Sequence, residues 1–306
     1  MHSGLKLGTR GSPLALAQAR KVAAALETAQ RWPADMVDIV AIKTSGDRIQ
    51  DRPLTEIGGK MLWTKELDQA LLRGDVDFNV HSMKDVESER PAGIHLAALR
   101  PRGDVRDRLI GAASIEAIPH GARFGTSSPR RSAQMRRMRP DLEIVPLRGN
   151  IQTRMAKVEA GEVDVTLLAS VGLKRLGIVD VGVPIPVEVL LPAPGQGALG
   201  LECRTDDTMT QSVLSTVNNP VTYWAVMAER AFTRALGGTC HSPVAALALL
   251  DDGALRMRAQ LYSEDGSEMI EDKAGFECGD ETTPRELALR MIERAPEAIR
   301  RLFNPA

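Results

Sequence analysis

What most constrains this chain is a long-range echo within it. LGTRGSPLALAQ, starting at Leu7, is answered by FGTSSPRRSAQM, starting at Phe124: Gly-Thr, a short turn, Ser-Pro and a helix-forming run. RGDVDFNVHS (Arg73 to Ser82) is answered by AGEVDVTLLAS (Ala160 to Ser170), each reading as helix end, glycine, acid, Val-Asp and strand. The order is the same in both halves, which predicts two related α/β domains built on open sheets. Chance similarity between common βα turns is the competing explanation. Gly8 and Gly74 lie 66 residues apart, whereas Gly125 and Gly161 lie 36 apart. The polar, glycine-containing stretch Ser45 to Lys60 supplies much of the difference, and is expected to be a mobile insertion over the ligand face of the first copy.

Around this echo the elements read in order. LKLGTR is a strand, Ser12 an N-cap and Pro13 a first helical residue. Leu14 to Trp32 carries Leu14, Val22 and Leu26 at helical spacing; MVDIVAIKT and DVDFNVHS are further strands. The last third changes grammar. VAALALL, ALRMRAQLYS and SEMIEDKAG, separated by Asp-Gly turns, predict a small antiparallel meander; a helix from Thr283-Pro284 toward Leu302 follows, broken at Pro296. Pro192 to Gly195 and Asn218 to Pro220 mark crossings between domains. The expected division is 1–100 with 199–217, then 104–193, then a C-terminal α+β domain over 220–306.

Charge narrows the function. The 306 residues carry 39 basic and 40 acidic side chains, a net −1, and only 3% are aromatic. That argues against a nucleic-acid-coating surface or a base-stacking platform. Locally the balance breaks: Arg100 to Arg154 holds twelve arginines against five carboxylates, Asp104, Asp107, Glu116, Asp141 and Glu143. The N-terminus lacks a signal-peptide pattern, and VAALALL is far short of the roughly 20 residues of a membrane span. Cys203, Cys240 and Cys278 have no CxxC spacing, so neither a disulfide framework nor a metal site is encoded, and a cytoplasmic chain with free thiols is expected.

Gly-Thr-x-x-Ser-Pro at a strand-to-helix turn presents backbone N–H groups, a hydroxyl and the positive end of a helix dipole, which together suit an anion. Arg10 and Ser12 occupy the first such turn, and Thr126, Ser128, Arg130 and Arg131 the second. Arginine pairs bidentately with carboxylates, so this set suits a carboxylate-rich or phosphate-rich ligand; solvated arginines beside a capped helix are the plainer reading of either copy alone. Arg148 and Arg154 flank the start of another helix at LRGNIQTR. VHSMKDV sets Ser82, Lys84 and Asp85 at a strand end, where open α/β sheets form ligand sites, although a solvated Lys-Asp pair in a turn explains the same residues. Cys240, in LGGTCHSPV, is a candidate attachment site or an inert thiol.

Together TRGSPLALAQ, GGKMLWTKELD, VHSMKDV, GTSSPRR, LRGNIQTR, PAPGQGALGLEC and GGTCHSP, in this order, closely resemble the porphobilinogen deaminases (hydroxymethylbilane synthases) along essentially the whole chain. The resemblance implies two periplasmic-binding-protein-like (type II) α/β domains with the active site in the cleft between them, plus the smaller C-terminal domain with its three-stranded sheet. It implies a transferase of tetrapyrrole and haem biosynthesis. Four porphobilinogen molecules are deaminated and joined head-to-tail onto a dipyrromethane primer held by a thioether at the position of Cys240, and hydrolysis then releases hydroxymethylbilane. Asp85 aligns with the catalytic aspartate, which hydrogen-bonds pyrrole N–H groups and stabilises an azafulvene cation. Arg10, Ser12, Ser82, Lys84, Thr126, Ser128, Arg130, Arg131, Arg148 and Arg154 align with residues around the acetate- and propionate-bearing ligand. Ser45 to Lys60 matches a lid, and Gln196 lies in the hinge-side motif. A monomer acting on porphobilinogen, with no nucleic-acid or membrane partner, is implied. Six linked rings would bring about twelve carboxylates to one site, which gives the local arginine excess a purpose.

The sequence departs from the family at two places. Trp63 stands where phenylalanine is common near the active site, which keeps an aromatic surface, and Pro129 replaces a common leucine at a first helical position. A non-catalytic carboxylate-binding protein of the same two-domain type would explain the arginines, but it leaves Cys240 and the third domain without a task.

Overall fold

The computed structural model describes residues 4–48, 63–237 and 242–304. Cys240 and most of the expected lid lie outside the described residues. Contacts divide the described chain into two units, one within 1–50, 59–103 and 197–223, the other within 104–196 and 224–306.

In the first unit, β1 (Leu5–Arg10) leads into α1 (Pro13–Gln30), β2 (Val37–Ile42), a helical turn α2 (Ser45–Arg48), α3 (Lys65–Arg73), β3 (Phe78–Ser82), a 3-10 turn over Met83–Asp85 and β4 (Ile94–Leu99). Strand β10 (Leu199–Arg204) completes a five-stranded sheet in the order β2-β1-β3-β10-β4, with β10 antiparallel to its neighbours. Ser12 caps α1 as its spacing predicts: its hydroxyl accepts the Ala15 N–H at 3.3 Å. Buried Ala19, Val22, Ala23 and Leu26 turn the inner face of α1 onto Leu7, Phe78 and Leu201 of the sheet.

The second unit repeats this plan. Its strands are β5 (Asp107–Ile110), β6 (Arg123–Gly125), β7 (Glu143–Val145), β8 (Val165–Ala169) and β9 (Val183–Pro184), in the order β7-β6-β8-β5-β9 with β5 antiparallel. Its helices are α4 (Pro129–Met138), α5 (Ile151–Glu159) and α6 (Ser170–Arg175). The two sheets match strand for strand. Each antiparallel member is the first sheet strand after the chain crosses from the other unit, which is the type II arrangement.

The echo now has a physical cause. Gly74 and Gly161 both end helical segments at positive φ, 78° and 69°, where a Cβ would be strained. Three residues on, Asp77 accepts the Lys6 N–H and Asp164 the Arg123 N–H, each at 2.7 Å. The Asp77 and Asp164 N–H groups answer to the Lys6 and Arg123 carbonyls at 2.9 and 3.0 Å. The repeated Val-Asp therefore locks β3 onto β1 in the first sheet and β8 onto β6 in the second.

Helices α7 (Thr208–Ser215) and α8 (Pro220–Ala235) lead to the predicted meander, β11 (Val244–Asp251), β12 (Ala254–Tyr262) and β13 (Met269–Phe276). Asp252 and Gly253, both at positive φ, form the first of its turns. Helix α9 (Thr282–Arg294) packs Leu287, Ala288 and Met291 into the core under the sheet, and Pro296 separates it from α10 (Glu297–Arg300). The meander and the 104–196 segment fall in one contact unit: Ala133 and Leu191 share an apolar cluster with Ala245, Leu247 and Tyr262. Glu229 of α8 binds the Gly195 N–H at 2.6 Å and the Ala248 N–H at 2.8 Å, clipping the crossing segment to this sheet.

Candidate functional site

In the first unit, β1, the start of α1 and the end of β3 surround a recess of about 430 Å³, counting the part open to solvent. Arg10, Ser12, Trp63, Ser82 and Asp85 line it, so five residues singled out in three separate motifs meet here. The Arg10 guanidinium lies 4.1 Å from the centre of the Trp63 ring, a cation–π pair in which Trp63 serves where phenylalanine is common. Gln18 donates to the Ser82 hydroxyl at 3.1 Å and so fixes the strand end. Lys84 and Asp85, both half-buried, sit in the 3-10 turn that follows, tied by the Met83 N–H to the Ala198 carbonyl at 3.1 Å and by the Val86 N–H to the Met83 carbonyl at 3.2 Å.

In the second unit, Ser128 caps α4 by accepting the Arg131 N–H at 3.4 Å, and Pro129 takes the first helical position. The Ser128 N–H in turn donates to the Thr126 hydroxyl at 3.1 Å. Arg130 and Arg131 are 4% and 6% exposed, which overturns the picture of solvated cations. Both converge on Asp107: Arg130 Nη2 reaches Oδ2 at 2.8 Å and Arg131 Nη2 reaches Oδ1 at 2.7 Å. Gln196 Nε2 joins the same carboxylate at 3.0 Å and the Val105 carbonyl at 2.7 Å. Arg130 also donates to Gln134 and to the Leu191 carbonyl. Burial lowers the Arg130 pKa, with the Asp107 charge opposing the shift. Asn150 caps α5 through the Thr153 N–H at 2.8 Å, and half-buried Arg148 and Arg154 lie on either side of that helix start, Arg154 Nε on the Gly149 carbonyl at 2.9 Å.

Sequence reasoning did not select Asp107, the organiser of this cluster. Its only early signal was membership in an arginine-rich segment. Also unforeseen was a buried group behind the first recess: Asp68, His81 and Glu202 bring ligand-type atoms within 4.8 Å of one another. The cation among them is Arg90, whose Nη2 stands 2.5 Å from Asp68 and 2.8 Å from Glu202. Burial pushes the Glu202 carboxyl up, but His81 and Arg90 outweigh it and hold it at about 2. At Asp68 burial wins over Arg90 and the pKa is raised. Of the two described cysteines, Cys203 is buried and its thiol is pushed up to about 11 by burial, which suits packing rather than nucleophilic chemistry; Cys278 is exposed. Among the described residues, no helix is long and apolar enough to cross a membrane.

Comparison with known proteins gives matches over nearly all of the chain. Residues 5–212 match the family described as "Porphobilinogen deaminase, dipyromethane cofactor binding domain", and residues 223–295 match "Porphobilinogen deaminase, C-terminal domain". A porphobilinogen deaminase of Sphingopyxis alaskensis is 52% identical over 306 residues, covering 98% of this chain and 96% of that protein. Those of Moorella thermoacetica (46% over 299 residues) and Pelobacter propionicus (44% over 298) each cover 96% of this chain, and 95% and 96% of their own lengths. Among solved structures, the periplasmic VFT2 domain of BvgS from Bordetella pertussis is similar at a TM-score of 0.41 and 14% identity, covering 75% of this chain and 91% of that one.

Proposed function

The chain belongs to the porphobilinogen deaminase family, and from that premise we propose that it joins four porphobilinogen molecules head-to-tail on a covalent dipyrromethane primer attached at Cys240, then releases hydroxymethylbilane by hydrolysis. When bound, the dipyrromethane supplies the free pyrrole carbon to which each new ring is joined. The donors present fit such a group: half-buried arginines and two serine-capped helix N-termini suit ligands bearing two carboxylates per ring.

Arg10, Arg148 and Arg154, with the Ser12 and Ser128 caps, hold carboxylate arms. Within the second unit Arg130 and Arg131, with Thr126, add further polar groups from positions set by Asp107 and Gln196, and within the first Lys84 offers a further cation beside Asp85. Asp85 accepts the pyrrole N–H. As the substrate C–N bond breaks and ammonia leaves, the positive charge that spreads into the ring is met by the Asp85 carboxylate, which also takes part in the proton transfers. Trp63 gives the recess an apolar wall and keeps Arg10 in place.

The observation that carries this reading is the meeting of Asp85, Arg10, Ser12 and Trp63 around one recess in a chain of this family. The decisive variant is Asp85→Asn. It keeps the shape and the attached primer, and turnover falls by roughly 100-fold or more, the scale of a lost acid–base group. Wild-type turnover in that variant removes Asp85 from the mechanism. We place the enzyme in the cytoplasm as a monomer without nucleic-acid or membrane partners, in line with its neutral total charge.

A further inference from the structure

Glu202 holds both ends of the turn that carries Lys84 and Asp85. On one side His81, the residue before the end of β3, brings Nε2 to 3.3 Å from Glu202 Oε2. On the other, Arg90 grips the same carboxylate with two parallel bonds, Nε to Oε1 and Nη2 to Oε2, each 2.8 Å. Arg90 Nη2 also takes Asp68 Oδ1 at 2.5 Å. These side chains are 0–9% exposed. The turn also rests on β10 and on the residue just before it. Its Met83 N–H bonds the Ala198 carbonyl, and the Met83 thioether lies where a Cβ at Gly200 would have to be, so Gly200 makes room for the wedge.

A ten-residue segment, His81 to Arg90, is thus gripped at its Arg90 end by one buried carboxylate and packed within 3.3 Å of the same carboxylate at its His81 end, where β3 pairs with β10. A charged, planar, bidentate pair fixes direction as well as distance, which lysine or a neutral acceptor would not do. Of this group His81 lines the recess, whereas Glu202 is not among its lining residues and acts on it only through its partners.

We propose that Glu202, through His81 and Arg90, is a positioning residue that sets the Asp85 carboxylate against the substrate ring. The proposal rests on the catalytic reading of Asp85 given above. Chemistry of this kind is sensitive to placement: a shift of about 1 Å costs on the order of 100-fold.

The test uses the primer-loaded enzyme and Glu202→Gln, with Arg90→Lys as the second variant should the first not fold. Hydrogen exchange is expected to quicken at least about tenfold in peptides spanning 81–90 while α1 and the C-terminal sheet keep their protection. In turnover, kcat should fall at least about tenfold with KM changed by less than about threefold. Placed on Asp85→Asn, either variant should cost less than about twofold further, because a group that acts by placing Asp85 has nothing left to place. Unchanged exchange over 81–90, or the same fold-loss in both backgrounds, overturns the positioning role. Failure of the catalytic reading is seen separately, as wild-type turnover in Asp85→Asn alone.

Discussion

Replacing Asp107 by asparagine tests how the second unit holds its arginines. The carboxylate is wholly buried, and the Arg130 and Arg131 side chains that face it are 4% and 8% exposed. Asparagine keeps the size and one acceptor oxygen but leaves two buried guanidiniums without their counter-charge, and its amide N–H₂ points donors at donors. Removing one partner of a buried ion pair costs about 3–5 kcal/mol, and here one carboxylate serves two cations. At roughly 2–4 °C per kcal/mol for a unit of this size, the melting midpoint should drop by roughly 6–20 °C. Thermal unfolding of wild type and variant in one buffer, followed by circular dichroism, reads this directly. A drop below about 3 °C would refute the reasoning, since it would mean that Arg130 and Arg131 are solvated or otherwise paired.

Three other outcomes follow from particular contacts. Glu202, held at about 2 against an ordinary 4.5, contributes stability that is present above pH 4.5 and lost as pH falls toward 2. Acid denaturation of Glu202→Gln should therefore show a shallower loss across that window than wild type, and parallel curves would count against the shift. Gly74→Ala and Gly161→Ala meet no atom within 4 Å, so only the left-handed backbone opposes them; each should cost about 1–2 kcal/mol in urea unfolding, and a neutral result would mean the turn relaxes. Trp63→Phe should keep kcat within about threefold, because the ring still faces Arg10 and the cation–π term is only about 0.5–1 kcal/mol at such sites; a loss of 100-fold would show that the indole has a specific task.

The fold was legible where local rules act on neighbours in sequence. Ser12-Pro13 and Ser128-Pro129 announce helix starts, Gly74 and Gly161 announce helix ends, and Asp-Gly pairs announce the turns of the meander; each works through a backbone need that one or two residues satisfy. The duplicated plan was visible because both copies use the same Val-Asp latch. What stayed hidden depends on strands that pair across long separations. Asp107 and Glu202 both lie on the antiparallel strand of a sheet, and nothing near either position in sequence says which cations will face it. Arg130 and Arg131 read from sequence as ligand cations, with solvated arginines as the plainer alternative; their burial against Asp107 was not legible, since burial of an arginine follows from its partner and not from its neighbours. The Asp68–His81–Arg90–Glu202 group joins four separate segments, so no motif could contain it.

The most direct test of the central claim is the mass of the freshly purified intact protein. A mature deaminase carries an added mass equal to two linked pyrrole units, and Cys240→Ala should lack it. A wild-type spectrum showing only the unmodified chain, or an adduct that survives Cys240→Ala, would contradict the assignment of this chain as a primer-bearing enzyme with its attachment at Cys240.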